Sequence, residues 1–304
     1  MWKSLVIQVR CYVCRVVMRF IFLTGFLFSL CFSGGQACAG HWDNSAGGVN
    51  GSVTLGGKIH VLGGLRPVWM WKAGGYRDFF HHTGDMTEQH TRLTVSAPTD
   101  ILLLAGKSQA AFDGSAVPAH IVPVIRLTAD SVPVAIQWIS GSAGEGVLVL
   151  PLHRNGESAG AGHLLLRVRA FGALGASPYD GLDARIIQTL GDNTDYPYVF
   201  NGGVMGMNAW TTRAGLDYIA RMTGNEVTAD TIWAQLQEKI SGLPATPVSE
   251  NAGIYEDLKE EGLLYAGAYA LGIPQGNPLE LRFSAPVTSQ ITWRATLNVE
   301  IHYP

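Results

Sequence analysis

Apolar and polar residues alternate strictly along the closing segment of the chain, ITWRATLNVEIHYP, which spans residues 291–304. Every odd position from Ile291 to Tyr303 is apolar, and every even position up to His302 is polar. Because successive side chains of a β-strand point to opposite faces, this pattern predicts a half-buried strand that runs almost to the terminus. Chain ends usually fray. A strand of this regularity is therefore unusual at a terminus.

A second alternating segment, VNGSVTLGGKIHV, lies near the other end of the chain at residues 49–61. Its odd positions carry only apolar side chains or glycine, and its even positions are mostly polar. The pattern alone predicts an ordinary first strand.

Strand patterns dominate two blocks of the sequence, from about Gly51 to Phe171 and from Gly262 onward. The first block includes TRLTVSA, DILLLAG, HIVPVIRL, EGVLVLPLHR and GHLLLRVRAF, and the second includes LLYAGAYALGI and PLELRFSA. Glycine, proline and Asp-Gly pairs separate them, as expected for turns. Many short strands with turn-rich connections predict an all-β-dominated fold, a β-sandwich.

The segment between these blocks, about residues 177–262, has helical patterns. In TADTIWAQLQEKISG, Thr228 is a suitable N-cap. Apolar residues then recur at every fourth position, at Ile232, Leu236 and Ile240. DARIIQTLG and RAGLDYIARMTG are predicted as shorter helices. Because strands resume afterwards, we expect an α-helical insertion into the sandwich and not a second domain.

The first 39 residues have the organisation of a secretory signal peptide. Four basic residues precede an apolar run and an Ala37-Cys38-Ala39 ending, which predicts cleavage after Ala39. A membrane anchor is the alternative, but the apolar run from Phe20 to Phe32 is shorter than the ~20 residues that span a bilayer. Met18 would open a more ordinary signal peptide than Met1, and both starts stay open.

Removal of this prefix changes the charge and the cysteine content. The chain has 21 basic and 24 acidic residues; without the four basic residues of the prefix, 17 remain against 24, a formal charge of −7. An acidic exported protein is not suited to bind nucleic acid. All four cysteines lie in the prefix. The mature chain therefore has no disulfide and depends on core burial or on partners for its stability.

Two motifs with potential chemistry are better explained as loops. GESAG, residues 156–160, matches a nucleophile elbow, but a strand follows where that motif requires a helix, so a hairpin loop is favoured. A polar segment collects five potential metal ligands without the spacing of a metal-binding helix: His81, His82, Asp85, Glu88 and His90. We expect no metal, no cofactor and no catalytic residue.

Carboxylates and aromatic rings in the insertion leave two further interpretations open. Four aspartates could supply the carboxylate pair of a glycosidase, although turns and caps explain them more simply: Asp180, Asp183, Asp192 and Asp195. A secreted carbohydrate-active enzyme or a free carbohydrate-binding module is therefore the alternative class. Exposed aromatic rings can stack on sugars, and the candidate glycan contacts are Tyr196, Tyr198, Phe200 and Trp210. Packing of the insertion onto the sandwich is the favoured explanation of these rings.

Several stretches taken together resemble the FaeG-type fimbrial subunits of the chaperone–usher pathway. They are NGSVTLGGKI, WMWKAG, ILLLAGKSQAAF, VLVLPL and YAGAYALGI…APVTSQITWRATLNVEIHY. The resemblance extends over most of the mature chain and is strongest at both ends. It is weakest in the insertion, where adhesive members of this type bear their glycan site, so no binding residue is carried over from the family.

The resemblance implies an immunoglobulin-like sandwich that lacks its final strand and has a hydrophobic groove along the open edge. A periplasmic pilus chaperone lends a strand to the groove, and the N-terminal extension of the next subunit replaces it in the fibre, which is donor-strand complementation. The implied donor residues are Val49, Val53, Leu55, Ile59 and Val61. The implied groove wall and chaperone-binding strand contains Ile291, Trp293, Leu297, Val299, Ile301 and Tyr303. Tyr303 matches the penultimate tyrosine of the family, whereas Ile291 stands where the wider superfamily often has glycine.

The expected organisation is a signal peptide at residues 1–39, a donor-strand extension at 40–62 and an immunoglobulin-like pilin domain at 63–304. We expect a non-enzymatic fimbrial subunit, exported through the periplasm to a fimbrium (pilus) on the bacterial surface. Its implied partners are the chaperone, the outer-membrane usher and neighbouring subunits. The divergent insertion favours a minor subunit, and cell adhesion through host glycans stays an open expectation.

Overall fold

The computed structural model describes residues 48–59, 68–74, 77–114, 121–154, 160–192, 196–206 and 209–303. The predicted signal peptide, Val61, Asp195 and most of the GESAG loop lie outside these residues. The strands are β1 (Gly48–Ile59), β2 (Trp69–Ala73), β3 (Arg77–His82), β4 (Arg92–Ser96), β5 (Ile101–Ser108), β6 (Phe112–Asp113), β7 (Val124–Ala129), β8 (Val132–Val134), β9 (Gln137–Trp138), β10 (Glu145–Arg154), β11 (Gly160–Pro178), β12 (Arg185–Thr189), β13 (Ser249–Ile254), β14 (Leu263–Ile273), β15 (Pro278–Phe283) and β16 (Ile291–His302). The helices are α1 (Thr212–Met222), α2 (Ala229–Gln237) and one 3-10 turn, Thr83–Asp85.

The main path of strand pairing runs in the order β2-β5-β14-β11-β10-β16-β1-β3. The remaining strands attach to this path; β15 and β12 pair with β11, and β7 pairs with β16. Among the described strands, pairing is antiparallel except between β1 and β16 and between β12 and β13. The prediction of an all-β, immunoglobulin-like fold is confirmed, and so is a strand on either side of the GESAG loop.

Alternating residues of the central strands form the sandwich core. In β10 the residues Leu148, Leu150 and Leu152 are buried, and their neighbours along the strand are partly exposed. In β16 the odd positions from Trp293 to Ile301 are buried in the same core. Full burial of each such aliphatic side chain contributes about 1.5–3 kcal/mol. The alternation of apolar and polar residues in β10 and β16 therefore arises because both strands bury one face in the same core.

β14 is buried on both faces because the helices cover the side that faces away from the sandwich. Its large residues Tyr265, Tyr269 and Leu271 belong to the sandwich core. The residues between them, which include Ala266 and Ala268, belong to a second core formed with α1 and α2. Small side chains on that face let the helices approach the sheet closely. In the sequence YAGAYAL, alternate side chains therefore belong to the sandwich core and to the core beneath the helices.

The insertion between β11 and β14 contains two of the three predicted helices, α1 and α2, and two strands, β12 and β13. Thr228 caps α2 as predicted, because its side chain accepts a hydrogen bond from Thr231 N at 3.2 Å. The predicted helix DARIIQTLG is wrong, since Arg185–Thr189 forms β12 and pairs with Ala173–Ala176 of β11. The β-branched residues of RIIQT favour a strand, and β11 offers a free edge. Neither described helix is long and apolar enough to cross a membrane.

Helix α1 touches the sheet at Gly215, and this contact yields a prediction. A Cβ added to Gly215 would lie 2.2 Å from the ring of Phe171 in β11. Alanine normally stabilises a helix by about 1 kcal/mol relative to glycine, but here we expect Gly215→Ala to destabilise the fold by about 1–3 kcal/mol through overpacking. Urea unfolding measures the change. Gly84→Ala is the control, because a Cβ there meets nothing within 4 Å; equal stability of the two variants would refute the packing argument.

Candidate functional site

Strand β1 lies between the C-terminal strand β16 and the short strand β3. It pairs in parallel with β16 from Val49 opposite Ile291 to Ile59 opposite Ile301. On its other edge it pairs antiparallel with β3, from Gly48 opposite His82 to Val53 opposite Arg77. The N-terminal segment of the chain thus completes the sheet beside the C-terminal strand. We call the position between β16 and β3 the acceptor groove.

The four predicted donor residues within the described range take alternate register positions along β16. The register sets Val49, Val53, Leu55 and Ile59 opposite Ile291, Ala295, Leu297 and Ile301. Residues directly opposite one another in a sheet share a face, and this face of β16 is the buried one. The apolar positions of β1 are therefore opposite the apolar positions of β16 along the whole pairing.

The predicted C-terminal strand is present and forms one wall of the acceptor groove. Trp293, Leu297, Val299 and Ile301 are buried in the sandwich core, and Ile291 and Tyr303 pack against it from half-buried positions. The even positions of β16 are exposed or half-buried. The strand does not fray because its apolar face lies within the core.

Tyr303 fastens the end of this strand to the sheet at β2. The indole N–H of Trp71 donates a hydrogen bond to the Tyr303 hydroxyl at 2.9 Å. Burial raises the pKa of that hydroxyl, and the hydrogen bond from Trp71 offsets part of the rise. The hydroxyl therefore stays neutral at physiological pH. This contact links the penultimate residue to a strand distant in sequence.

Strand β3 forms the second wall of the acceptor groove and was not predicted. Its sequence RDFFHH runs into the polar segment His81–His90, so the strand signal is limited to the buried Phe79 beside the exposed Phe80. The ring of Phe79 stacks on the ring of Trp293, with centroids 6.5 Å apart and planes 14° apart. The two walls of the groove thus meet in one aromatic contact.

The polar segment His81–His90 was predicted as a loop, but His81 and His82 belong to β3, and a 3-10 turn at Thr83–Asp85 follows them. Asp85 accepts a hydrogen bond from the backbone N–H of His82 at 3.1 Å, and Arg92 pairs with Glu88 at 2.9 Å. Within the part of the chain that the structure describes, no three His, Cys, Asp or Glu side chains come together as a metal site would require.

Three tyrosine rings lie in a row at the edge of the insertion, two of them exposed and the middle one half-buried, and we call them the tyrosine platform: Tyr196, Tyr198 and Tyr255. The ring centroids of Tyr196 and Tyr198 are 4.5 Å apart, and those of Tyr198 and Tyr255 are 5.2 Å apart. Tyr196 is 53% exposed and Tyr255 46% exposed. Desolvation, then the neighbouring Tyr196 and the carboxylates of Asp192 and Asp257, raise the pKa of Tyr198.

An open cleft of about 340 Å³ borders the tyrosine platform. Its lining combines aromatic rings, a carboxylate and polar backbone: Trp138, Ser140, Gly191, Asp192, Met205, Gly206 and Tyr255. Tyr255 donates a hydrogen bond from its hydroxyl to Gly206 O at 3.2 Å, which fixes one wall. Rings beside hydrogen-bonding groups suit a polar ligand with apolar faces. Sequence reasoning missed Tyr255 because it follows the helices, far from Tyr198 along the chain.

The loop that carries Tyr196 and Tyr198 is anchored by Phe200 and Asn201. Phe200 has no exposed surface and a φ of +61°, and its ring lies 5.1 Å from Tyr269 and 5.2 Å from Trp69. A bulky residue in this left-handed conformation is strained, and burial in the aromatic core holds it there. The expectation that Phe200 contacts a glycan is therefore corrected: it is a core residue.

Asn201 is a buried hydrogen-bonding centre for the same loop. Its side-chain oxygen accepts from the backbone N–H groups of Asp192 and Gly202, at 2.9 and 3.0 Å. Its amide nitrogen donates to Tyr196 O at 2.8 Å. One side chain thus ties Asp192 of the cleft to Tyr196 of the platform, so the two are held in a fixed arrangement.

Trp210, the fourth candidate glycan contact, packs against α1. It contacts none of the three tyrosines of the platform among the ring contacts of the described residues. Its ring is 5.0 Å from Tyr218 and 5.3 Å from Phe171, and the guanidinium of Arg169 lies 5.7 Å from it. These contacts join the insertion to β11. The structure brings Tyr196 and Tyr198 together and gives Trp210 a packing role.

The fold and the acceptor groove define a class of protein: an immunoglobulin-like sandwich whose sheet is completed by a terminal strand. Residues 21–304 match the family described as "Fimbrial, major and minor subunit", and the chain belongs to this family. It is thus a fimbrial protein, of the kind exported to fimbriae on the bacterial surface. The family description covers both kinds of subunit, so a minor role stays a prediction.

Similar proteins include the K88 and F41 fimbrial proteins of Escherichia coli. K88 fimbrial protein AC is 27% identical over 266 residues, covering 84% of this chain and 91% of that protein. K88 fimbrial protein AD is 29% identical over 269 residues with the same coverage. F41 fimbrial protein is 23% identical over 283 residues, covering 88% of this chain and 94% of that protein. These matches favour a fimbrial protein over the carbohydrate-active enzyme.

The role of Asn201 in fixing the platform can be tested. Asn201→Ala removes the partner of partly buried backbone groups, and a buried group left without a partner costs about 1–3 kcal/mol. We expect lower thermal stability and faster hydrogen exchange at the amides of Asp192 and Gly202, with the amides of β10 unchanged. Tyr196→Ala is the control, since it removes an exposed ring and keeps the backbone acceptor. Unchanged exchange at Asp192 and Gly202 in the Asn201 variant would contradict this role.

Proposed function

We propose that this protein is a fimbrial subunit that polymerises by donor-strand complementation through the chaperone–usher pathway. The observation that carries the proposal is the continuous register of β1 on β16 from Val49 to Ile59. The segment that completes the sheet is the predicted donor segment, and the strand it joins is the predicted groove wall. Membership of the fimbrial subunit family supports the same conclusion.

An empty acceptor groove would be unstable. Without β1, the outward backbone N–H and C=O groups of β16 lose their partners, and Trp293, Leu297 and Ile301 lose part of their cover. Unpaired strand edges with apolar side chains are aggregation sites. The mature chain has no disulfide to compensate. Some strand must therefore occupy the groove at every stage from export to the finished fibre.

A single free chain fills the groove with its own β1, and a fibre fills it with the β1 of the next subunit. The two arrangements use the same strand and the same groove, so they differ little in contact energy. A tethered segment has a high effective concentration, which favours docking within one chain. A periplasmic chaperone that occupies the groove first would prevent this self-docking, and the usher would then exchange the chaperone strand for a neighbouring subunit's β1.

The chaperone is expected to pair with the edge of β16 that β1 occupies in the free chain. Its contacts would be with Ile291, Trp293, Leu297, Val299, Ile301 and Tyr303. Burial of several aliphatic side chains at about 1.5–3 kcal/mol each, with a ladder of main-chain hydrogen bonds, can match the ~5–15 kcal/mol that stabilises a whole domain. An exchange between two such strands, one leaving as the other enters, avoids exposing the groove.

Deletion of residues 40–61 tests the assembly proposal. The variant is co-expressed with the chaperone and usher of its own fimbrial system. We expect a soluble subunit–chaperone complex and no SDS-resistant ladders, because the groove is intact but no subunit carries a donor strand. Ser52→Ala/Thr54→Ala is the matched control; it changes the same segment at even positions and should form normal ladders. Ladders of normal length from the deletion variant would refute the proposal.

Adhesion to host glycans is a second function that the tyrosine platform and its cleft support. Tyr196 and Tyr255 are exposed rings, and Asp192 and backbone groups lie beside them. Sugars combine apolar faces with hydroxyl groups, and this pairing of rings and hydrogen-bonding groups fits both.

A glycan array tests the adhesive proposal on the full-length subunit in its fimbriae. We expect binding to at least one glycan and a loss of about tenfold or more in Tyr196→Ala and Tyr255→Ala, since a buried stacking ring often dominates affinity. Tyr179→Ala is the matched control; Tyr179 is also exposed, at 56%, but hydrogen-bonds Asp113 outside the cleft. Binding that survives both platform substitutions, or no binding to any glycan, would exclude this role for the platform.

A further inference from the structure

The cleft beside the tyrosine platform combines two aromatic rings with one carboxylate. Tyr255 and Trp138 supply the rings, and Asp192 supplies the carboxylate. Among the seven described residues that line the cleft, Asp192 is the one whose side chain is charged at neutral pH. The other polar side chains, those of Ser140 and Tyr255, are neutral hydroxyls. The described lining therefore has a negative charge and no positive one.

The segments around the cleft are acidic as well. Residues 190–212 contain two aspartates and no basic residue, and residues 255–261, YEDLKEE, contain four carboxylates and one lysine. That lysine, Lys259, pairs with Asp257 at 3.3 Å. Burial raises the pKa of Glu256, and two neighbouring carboxylates raise it further. The surroundings of the cleft therefore add to the negative potential of its lining.

The aromatic rings act on a charged ligand in the same direction as the carboxylates. The face of an aromatic ring carries the negative part of its quadrupole and attracts cations. The pKa of Tyr198 is raised first by burial and then by its neighbours, which include the carboxylates of Asp192 and Asp257. The tyrosine platform therefore lies within the field of these carboxylates. Rings and carboxylates together favour a cation and disfavour an anion.

The carboxylate and one of the rings are held in place by hydrogen bonds. The backbone N–H of Asp192 donates to Oδ1 of Asn201 at 2.9 Å, and Nδ2 of Asn201 donates to the Asp192 carboxylate at 3.4 Å. The Tyr255 hydroxyl donates to Gly206 O at 3.2 Å. A Cβ added to Gly206 would lie 2.7 Å from Gly191 O, so two backbone segments meet closely at the cleft. Binding groups that are already ordered lose little entropy when a ligand arrives.

We propose that this cleft binds an alkylammonium group, with the Asp192 carboxylate as its counter-ion and the rings of Tyr255 and Trp138 as its walls. The protonated amine of an amino sugar and the quaternary ammonium of a choline headgroup share this chemistry. The inference names the ligand chemistry of the cleft, and for a ligand presented as a glycan it rests on the adhesive proposal. Sugars that carry a carboxylate or a sulfate would place an anion beside Asp192 and are excluded.

Size and donor set separate this ligand from other cations. A volume of about 340 Å³ accommodates a monosaccharide or a lipid headgroup. A metal ion would need several ligating side chains, and no three His, Cys, Asp or Glu side chains converge in the described part of the chain. Aromatic walls are suited to the apolar surface of an organic cation.

The test measures binding of fimbriae that carry the full-length subunit to four surfaces, which display choline, glucosamine, N-acetylglucosamine or N-acetylneuraminic acid. Acetylation removes the charge of glucosamine and keeps the sugar. The assay is run at about pH 6, where an aspartate is ionised and an alkyl amine is protonated. We expect half-saturation of choline, glucosamine or both at a concentration about tenfold lower than for N-acetylglucosamine, as a cation–π contact beside a carboxylate predicts. N-acetylneuraminic acid should not bind.

Two variants assign the preference to the cleft. Asp192→Asn keeps the shape of the side chain and removes its charge, so the preference for ammonium should fall to about twofold, the part supplied by the rings. Tyr255→Leu keeps an apolar side chain without a ring and should lower the preference about threefold or more. Asp183→Asn is the matched control; Asp183 is exposed and outside the lining, and asparagine tolerates its φ of +60°. This control should keep the full preference.

The outcomes separate the cation site from the adhesive proposal. Equal binding to glucosamine and N-acetylglucosamine overturns the cation site while adhesion to neutral glycans survives. The full preference in Asp192→Asn, or no binding to either ammonium surface, also overturns the cation site. Binding to choline and to none of the sugars upholds the cation site, identifies a lipid headgroup as the source of the ammonium, and counts against adhesion through glycans.

Discussion

The rest of the structure depends on one requirement: the outer edge of β16 must be paired. From Ile291 to Ile301 that edge presents main-chain donors and acceptors beside side chains that belong to the sandwich core. Buried polar backbone groups without partners are costly, and apolar edges aggregate. The chain meets this requirement with a segment from its opposite end, which makes the two termini one structural unit. A protein organised in this way needs a strand beside β16 to be complete, and the proposed strand exchange would use this need to join subunits.

The helical insertion is compatible with that requirement because it packs on the other face of the sheet. β14 and the second half of β11 present mostly small residues such as Ala173, Ala266 and Ala268 to the helices, together with Phe171, while Tyr265, Tyr269 and Leu271 point into the sandwich. The two cores share strands but not side chains. The insertion can therefore change in sequence without disturbing the acceptor groove. The tyrosine platform lies at the edge of this separate region, tied to the sandwich by Phe200 and Asn201, so that the proposed recognition surface and the proposed assembly surface can vary independently.

The sequence predicted the parts of this arrangement that depend on local periodicity. Strict alternation identified β1 and β16, and apolar spacing identified α1 and α2. Local patterns failed where tertiary contacts decide: RIIQT became a strand because β11 offered it an edge, and RDFFHH became a strand because β1 lies beside it. The candidate site shows the same limit. Tyr196 and Tyr198 were accessible to sequence reasoning, whereas Tyr255 joins them only through folding and Phe200 is drawn inward by Trp69 and Tyr269. The register of β1 on β16 was also beyond sequence, since alternation fixes which face is buried and leaves every even slip open.

That last ambiguity is a physical problem for any fibre built by strand exchange. The hydrophobic effect is non-directional, and a backbone ladder repeats every two residues, so neither can distinguish registers that differ by two. Distinguishing them requires a feature of the groove that is not periodic. The stacked rings of Phe79 and Trp293 occur at one point along the ladder, and Gly51 is the residue of β1 found there. In such an interface the alternating aliphatic positions would supply affinity, while contacts that occur once along the ladder, such as the stacking of Phe79 on Trp293, would distinguish one register from another.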